Sequence, residues 1–309
     1  MTESAAVATI TGRHDTLKGA VRMPSDGHDQ VSDTHGGPAR DGDDGPDIVT
    51  LDDGVPTAAR VYDVMLDGKD NYSIDRQVAH ASLSVMPELK EIALHNRAML
   101  HRIVRYAAAE EGVTQFLDLG SGLPTVGNTH EVAQEANPDS RVVYVDIDPI
   151  VLVHGRAILQ DNENTRVVTA DIRKPREVLD HPDVRALIDF DKPVCVMLCG
   201  ILHHILDEED PNGIVAALRE AVPSGSLFFI TNFTRLGDTP ESAELERVLL
   251  DQLGTGRVRT PEELARYFDG LELLSPGIVP LPLWRPDELV TDATTVGVRF
   301  MTGGLARKP

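Results

Sequence analysis

Three stretches of the chain end an apolar run with an aspartate. They are "FLDLGSG" with Asp118, "VYVDIDP" with Asp146 and "VTADIRKP" with Asp171. If each run is a strand of one parallel sheet, the carboxylates stand at its open edge, where such sheets hold ligands. Gly120 and Gly122 flank Ser121 and allow a tight turn with close backbone approach. Asp146 lies 26 residues after Gly120 (146 − 120), and a carboxylate there can accept from both hydroxyls of a ribose. Ile147 follows it. Asp171 is placed to accept from an adenine amino group, with Ile172 against the ring. This chemistry fits a nucleoside cofactor, either NAD or S-adenosylmethionine.

Asp118 separates the two. A dinucleotide puts an anionic pyrophosphate at the glycine loop, and a carboxylate there works against it. The dinucleotide fingerprint also calls for a small residue, normally Gly, at position 125, where this chain has Thr125 after Pro124. S-Adenosylmethionine has no phosphate. Its sulfonium and α-ammonium suit a strand-end carboxylate.

"CGILHHILDEED" follows the fourth apolar run. His203 and His204 are candidate bases, because imidazole titrates near neutrality. A base is needed only if the methyl acceptor arrives protonated, and one ring can instead pack while the other is solvated. Asp207, Glu208 and Asp210 read as a helix cap and first-turn carboxylates rather than as metal ligands. In "GKDN", Lys69 can pair with the cofactor carboxylate from a turn, with Asp70 beside it and Tyr72 towards the acceptor. An ordinary exposed turn is the alternative. In "GNTHE", Asn128 and Thr129 can hydrogen-bond the methionine portion, and His130 and Glu131 face the acceptor or the helix surface. Trp284 lines the acceptor pocket or packs in the core, and Asn232 and Thr234 are weaker candidates at the same sheet edge.

These residues need a scaffold. Strands are expected at 114–119, 141–146, 165–169, 193–199, 226–232, 271–274 and 295–301, with helices near 127–136, 150–160, 211–221, 240–253 and 261–269. Asp210-Pro211 and Thr260-Pro261-Glu262-Glu263 mark two helix starts. Alternating strands and helices imply a doubly wound, mostly parallel α/β sheet of seven strands. Upstream, Val61, Val64 and Met65 share a helical face, as do Leu94, Met99, Ile103 and Tyr106. Helices are thus expected over 55–112, ahead of the α/β domain at 113–309. Residues 1–54 are polar and Gly- and Asp-rich, the composition of a disordered tail.

The 309 residues carry a formal net charge of −21. Binding to nucleic acid or an anionic membrane needs clustered Lys and Arg, so neither partner is expected. No run approaches the roughly 18 apolar residues of a membrane helix, and no secretory signal is evident. The two cysteines, Cys195 and Cys199, read as reduced thiols of a cytoplasmic protein.

The chain also resembles a known family. Asp118-Leu119-Gly120-Ser121-Gly122, Asp146 and Asp171 look like the glycine loop, ribose acid and adenine acid of class I S-adenosylmethionine-dependent methyltransferases. "ARVYDVMLDGKDNYSIDR", "HNRAMLHRIVRY", "QFLDLGSGLPTVGNTHEVAQ", "RVVYVDIDPIVLVHGRAIL", "PLWRP" and "ARKP" are similar to an actinobacterial family of such enzymes, mostly without an assigned substrate. The resemblance covers about residue 55 to the end. It implies the doubly wound fold, with an N-terminal helical cap at 55–112 on a Rossmann-like domain at 113–309, and S-adenosylmethionine, but no acceptor. Leu123-Pro124 stands where many class I members have a third Gly. The expected function is methyl transfer to O or N of a small molecule. A cofactor-binding protein without transfer and, further off, an NAD-dependent oxidoreductase are the alternatives. The acceptor and the oligomeric state are not legible.

Overall fold

The computed structural model describes residues 54–158, 162–235 and 240–309. The tail expected at 1–54 lies outside them, apart from Gly54. Three helices come first: α1 (Ala58–Met65), α2 (Ser73–Val85) and α3 (Leu89–Ala109). Then follow β1 (Gln115–Leu119), α4 (Thr129–Ala136), β2 (Arg141–Asp146), α5 (Pro149–Ile158) and β3 (Thr165–Thr169). Next are α6 (Pro175–Asp180), α7 (Pro182–Leu187), β4 (Cys195–Cys199), α8 (Pro211–Ala221) and β5 (Leu227–Phe233). The chain ends with α9 (Pro240–Leu253), α10 (Pro261–Arg266), β6 (Glu272–Leu273), β7 (Val279–Pro280), α11 (Val296–Arg299) and β8 (Met301–Arg307).

The strands form one sheet in the order β3-β2-β1-β4-β5-β8-β6, with β7 also on β8. β1 to β5 are parallel, and β8 runs antiparallel to β5. The order reverses between β1 and β4, which puts the open crevice beyond the carboxyl ends of these strands. β1 and most of β4 and β5 are buried and apolar because helices cover both faces. Phe116, Met197 and Phe229 pack on one face with α3 and α9, while Leu117, Val196 and Phe228 pack on the other with α8 and α10.

The two predicted helix starts are present. The Gly213 N–H donates to Asp210 Oδ1 at 3.0 Å ahead of Pro211. Thr260 and Glu263 cap each other, at 2.8 and 3.2 Å.

The sheet has eight strands, not seven. The strand expected at 295–301 is instead α11, whose Thr295 Oγ1 accepts from the Val298 N–H at 3.3 Å, followed by β8. Gly303-Gly304 argues against a strand in the sequence. In the sheet it is required, because a Cβ at Gly303 would crowd the Ile230 carbonyl. The short helices α6 and α7 and strand β7 were not expected. Leu94, expected on a buried face of α3, is 60% exposed; the stripe runs through Ile92, Asn96, Met99 and Ile103.

Candidate functional site

The ends of β1, β2, β3 and β4 open into one cavity of about 380 Å³, closed over by α1, α3 and α9. Asp118, Gly120, Ser121, Gly122, Asp146, Ile147, Asp171, Ile172, His203 and His204 all line it. Residues 53 apart in sequence (171 − 118) thus meet because parallel strands bring their ends to one edge.

The glycine loop turns at Gly120, which has φ +69°. A Cβ there would overlap the Ile201 side chain, so glycine is needed for both conformation and space. The N–H groups of Gly120 and Ser121 donate to the Val145 carbonyl at 2.8 and 3.2 Å, which locks the loop to β2. Gly122 N–H then donates to Asp146 Oδ2 at 2.8 Å, and Asp148 N–H donates to Asp146 Oδ1 at 2.9 Å. These backbone donors aim the carboxylate at the cavity it lines. Burial, with the Asp148 charge beside it, raises the Asp146 pKa, and the backbone N–H groups of Asp148, Gly122 and Ile147 oppose the rise.

Asp118 is 4% exposed. Burial pushes its carboxyl up to about 6, against the Thr129 hydroxyl bond and the charge of Arg97. Thr129 Oγ1 donates to Asp118 Oδ2 at 2.7 Å. Asn128 Oδ1 accepts from the Thr125 N–H at 2.9 Å, and its own N–H donates to Glu131 at 2.6 Å, opening α4. Asn128 and Thr129 line a side pocket of about 30 Å³ rather than the main cavity. Within the protein they hold the loop and Asp118.

Asp171 is gripped by Arg173, whose Nε donates to both carboxylate oxygens at 2.8 and 3.0 Å. Burial works against its charge, but Arg173 outweighs burial and holds the pKa below the ordinary value. Arg173 also reaches Glu209 at 2.8 Å, across the mouth of the cavity.

Lys69 is exposed and does not line the cavity, contrary to the role expected for it. The GKDN stretch is an organised turn: Asp63 Oδ2 accepts from the Asp70 N–H at 3.0 Å and from Asn71 Nδ2 at 2.8 Å. Asp70 lies 3.3 Å from His154. Two cations line the cavity: Arg173, bound to Asp171 and Glu209, and Arg97 of α3, which stands beside Asp118 and donates to the Gly127 carbonyl at 2.9 Å. Arg97 lies in a stretch matched by family resemblance, but its helical position gave no sign of which strand it would face.

His203 and His204 follow β4. The His203 ring stacks on Phe233 at 4.0 Å and 23°, and His204 lies 4.4 Å away. Burial depresses both imidazoles, His204 to about 4 and His203 well below its ordinary value, helped there by His204 and Arg259. Both are therefore neutral at pH 7. The Nδ1 atom of each is buried without a partner, as is Ser121 Oγ at the glycine loop. All three residues line the cavity.

The other wall is built from Met65, Ile92 and Ala93, from Leu245, Leu249 and Leu253, and from Phe233 and Met301. Its polar residue Asn96 is fixed: Oδ1 accepts from Thr231 Oγ1 at 2.9 Å, and Nδ2 donates to the Tyr62 hydroxyl at 3.3 Å. Burial raises the Tyr62 pKa and pushes Cys199 up to about 12, so neither is ionised at pH 7. Trp284 is a core ring, edge-on to Tyr106 at 5.8 Å, away from the cavity. Tyr72, Asn232 and Thr234 do not line the cavity either. His130 is held by the Tyr144 hydroxyl at 2.8 Å. Among the described residues no three His, Cys, Asp or Glu converge as metal ligands, and Asp207 pairs with Arg257 and Arg259.

The donor set fits an adenosyl cofactor with a positive sulfur, and comparison with known proteins agrees. A Thermobifida fusca YX protein carrying a provisional methyltransferase name is 50% identical, with 82% of this chain and 95% of that one covered and a TM-score of 0.80. A DUF574 family protein from Streptomyces avermitilis MA-4680 is 38% identical, covering 82% and 98%, with a TM-score of 0.79. No curated protein matches the chain. The pattern of the S-adenosyl methyltransferase family matches residues 46–309. The cofactor is therefore S-adenosylmethionine, and the chain belongs to the S-adenosyl methyltransferase family, with the class I α/β fold.

Proposed function

We propose that this enzyme methylates an O or N atom of a small-molecule acceptor. The observation that carries this reading is the single cavity joining three strand-end carboxylates to two histidines whose Nδ1 atoms have no protein partner. Its volume of about 380 Å³ falls within the ~300–1,000 Å³ usual for small-molecule sites. The α1–α3 segment over it acts as a cap on the domain from 113 onward.

S-Adenosylmethionine supplies an electrophilic methyl group. The chain holds and aligns. Asp146 takes the ribose hydroxyls, Asp171 and Ile172 take the adenine with Ile147 on its flank, and the Gly120-Ser121-Gly122 backbone and Ser121 Oγ hold the methionine portion. Asp118 faces the ammonium and Arg97 the carboxylate. The apolar wall excludes water, which favours alignment of donor and acceptor. His203 or His204 receives the acceptor proton when there is one.

The net charge of −21 speaks against a nucleic-acid acceptor. Cys195 and Cys199 are free thiols, which suits a reducing cytoplasm. Among the described residues no helix is long and apolar enough to cross a membrane. The two solved relatives described above come from Thermobifida and Streptomyces, which supports an actinobacterial source.

The test is turnover. Purified protein is incubated with S-adenosylmethionine and a panel of small hydroxyl and amine compounds, and S-adenosylhomocysteine is measured by mass spectrometry. Acceptor-dependent product supports the reading. Product formed only with a protein or nucleic-acid acceptor overturns it.

A further inference from the structure

Building on the methyl-transfer reading above, we propose that the acceptor is an uncharged, mostly apolar molecule that presents a hydroxyl group to His203 and His204. The cavity is divided by charge. Asp118, Asp146, Asp148 and Asp171 stand at or just beyond the strand ends, Arg97 is bound to the Gly127 carbonyl, and Arg173 is bound to Asp171 and Glu209. Among the described lining residues, no other side chain carries a full charge at pH 7.

The opposite wall is Met65, Ile92, Leu245, Leu249, Phe233 and Met301. A carboxylate or ammonium on the acceptor would lose its water there and meet no counter-ion, which is a steep penalty. An apolar body loses nothing and gains burial. Yet the wall is not indifferent to polar groups. His203 Nδ1 and His204 Nδ1 are buried and unpaired, and both residues line the cavity. A neutral imidazole offers one donor and one acceptor nitrogen, and a hydroxyl can serve either. Asn96 and Tyr62 are already bonded to each other and to their neighbours, so on this wall the histidine rings are the polar groups with a nitrogen not engaged by the protein.

The balance of the reaction fits a hydroxyl. The O–CH₃ bond forms as the S–CH₃ bond breaks, the sulfur keeps the bonding pair, and the hydroxyl proton passes to an imidazole nitrogen and on to water. A primary amine would arrive as an ammonium at neutral pH and would have to enter this wall charged.

The experiment is calorimetric titration of the full chain saturated with S-adenosylhomocysteine. Four probes of like size are used: 2-naphthol, decahydro-2-naphthol, 2-naphthoate and 2-naphthylmethylammonium. The expected result is that at least one neutral probe binds ten-fold or more tightly than either ion. Whether the aromatic or the alicyclic alcohol leads tells a phenolic acceptor from an aliphatic one. Either charged probe binding as tightly as the neutral ones, or no neutral probe binding at all, overturns the proposal. In His204→Phe, affinity for the better neutral probe should fall five-fold or more while that for S-adenosylhomocysteine holds; unchanged probe affinity also counts against it. Failure of S-adenosylhomocysteine itself to bind would strike the methyl-transfer reading instead, so the two failures are distinct.

Discussion

Arg60 Nε of α1 lies 3.4 Å from Asp148 Oδ2, and both side chains are buried. Asp148 is two residues beyond Asp146 and supplies the N–H that aims its carboxylate. Arg60 also lies 3.7 Å from the buried Asp75 of α2, and Thr57 Oγ1 donates to Asp148 at 2.7 Å. The N-terminal helices are therefore tied to the turn that carries the proposed ribose ligand.

Arg60→Met should remove the cation from two buried carboxylates. Breaking such a pair by deleting one partner costs about 3–5 kcal/mol, because the remaining charge is left uncompensated. The variant should melt well below the wild type and bind S-adenosylmethionine more weakly. Thr57→Val, which deletes the bond to Asp148 and the two that Thr57 Oγ1 accepts from Arg60, one of them the cap of α1, should cost about 1–2 kcal/mol and move both quantities in the same direction. Calorimetric melting and ligand titration check both; a variant that loses stability with no loss of affinity would uncouple the helices from the cofactor.

Much of the proposed cofactor end is legible in the sequence because its signals are local. Asp118, Asp146 and Asp171 each close an apolar run, and the parallel topology alone brings them together. Arg97 is not legible in that way. It sits on α3, where only its facing towards the Gly127 loop, a tertiary fact, gives it a task. Lys69 is misleading for the opposite reason: it lies in a motif-like turn, but the residue that matters there is Asp63, whose carboxylate organises the turn from within α1. The Gly-Gly of β8 hides a strand because the reason for it, the nearby Ile230 carbonyl, belongs to another part of the chain.

Asp146→Ala should weaken S-adenosylmethionine binding tenfold or more, about 1.4 kcal/mol, through lost charge-assisted bonds to the ribose. Asp146→Asn keeps the shape but swaps one acceptor for a donor facing a backbone N–H, so it should be no milder. Titration calorimetry on folded variants decides, and unchanged affinity in Asp146→Ala would take this residue out of the site.

Asp118 gives the cofactor site a pH dependence. Its folded carboxyl sits at about 6, above the ordinary 3.8 of an aspartate, because of burial. A raised acid favours the fold while protonated, so that contribution is complete below about 4 and is lost as pH rises through 6. A cationic ligand prefers the carboxylate, so cofactor affinity should run the other way and climb between about pH 5 and 7, either side of that value. Asp118→Asn should flatten both curves. Melting temperature and ligand affinity measured in parallel across this range provide the check, and a wild-type affinity flat across it would dismiss Asp118 as the partner of the ammonium.

Arg97 and Lys69 offer a direct comparison of two cations for one task. Arg97 lines the cavity next to Asp118, and Lys69 is exposed and outside it. If Arg97 pairs with the cofactor carboxylate, Arg97→Met should weaken S-adenosylmethionine binding by about tenfold or more, the scale of a charge-assisted pair. Lys69→Met should stay within about twofold, as surface charges contribute little. Arg97 also braces the Gly127 carbonyl, so a loss of affinity alone does not separate contact from scaffolding. Decarboxylated S-adenosylmethionine separates them. Wild type should bind it less tightly than the full cofactor, and Arg97→Met should bind the two alike. If the variant still favours the full cofactor by the wild-type margin, the carboxylate is held elsewhere and Arg97 serves only the loop.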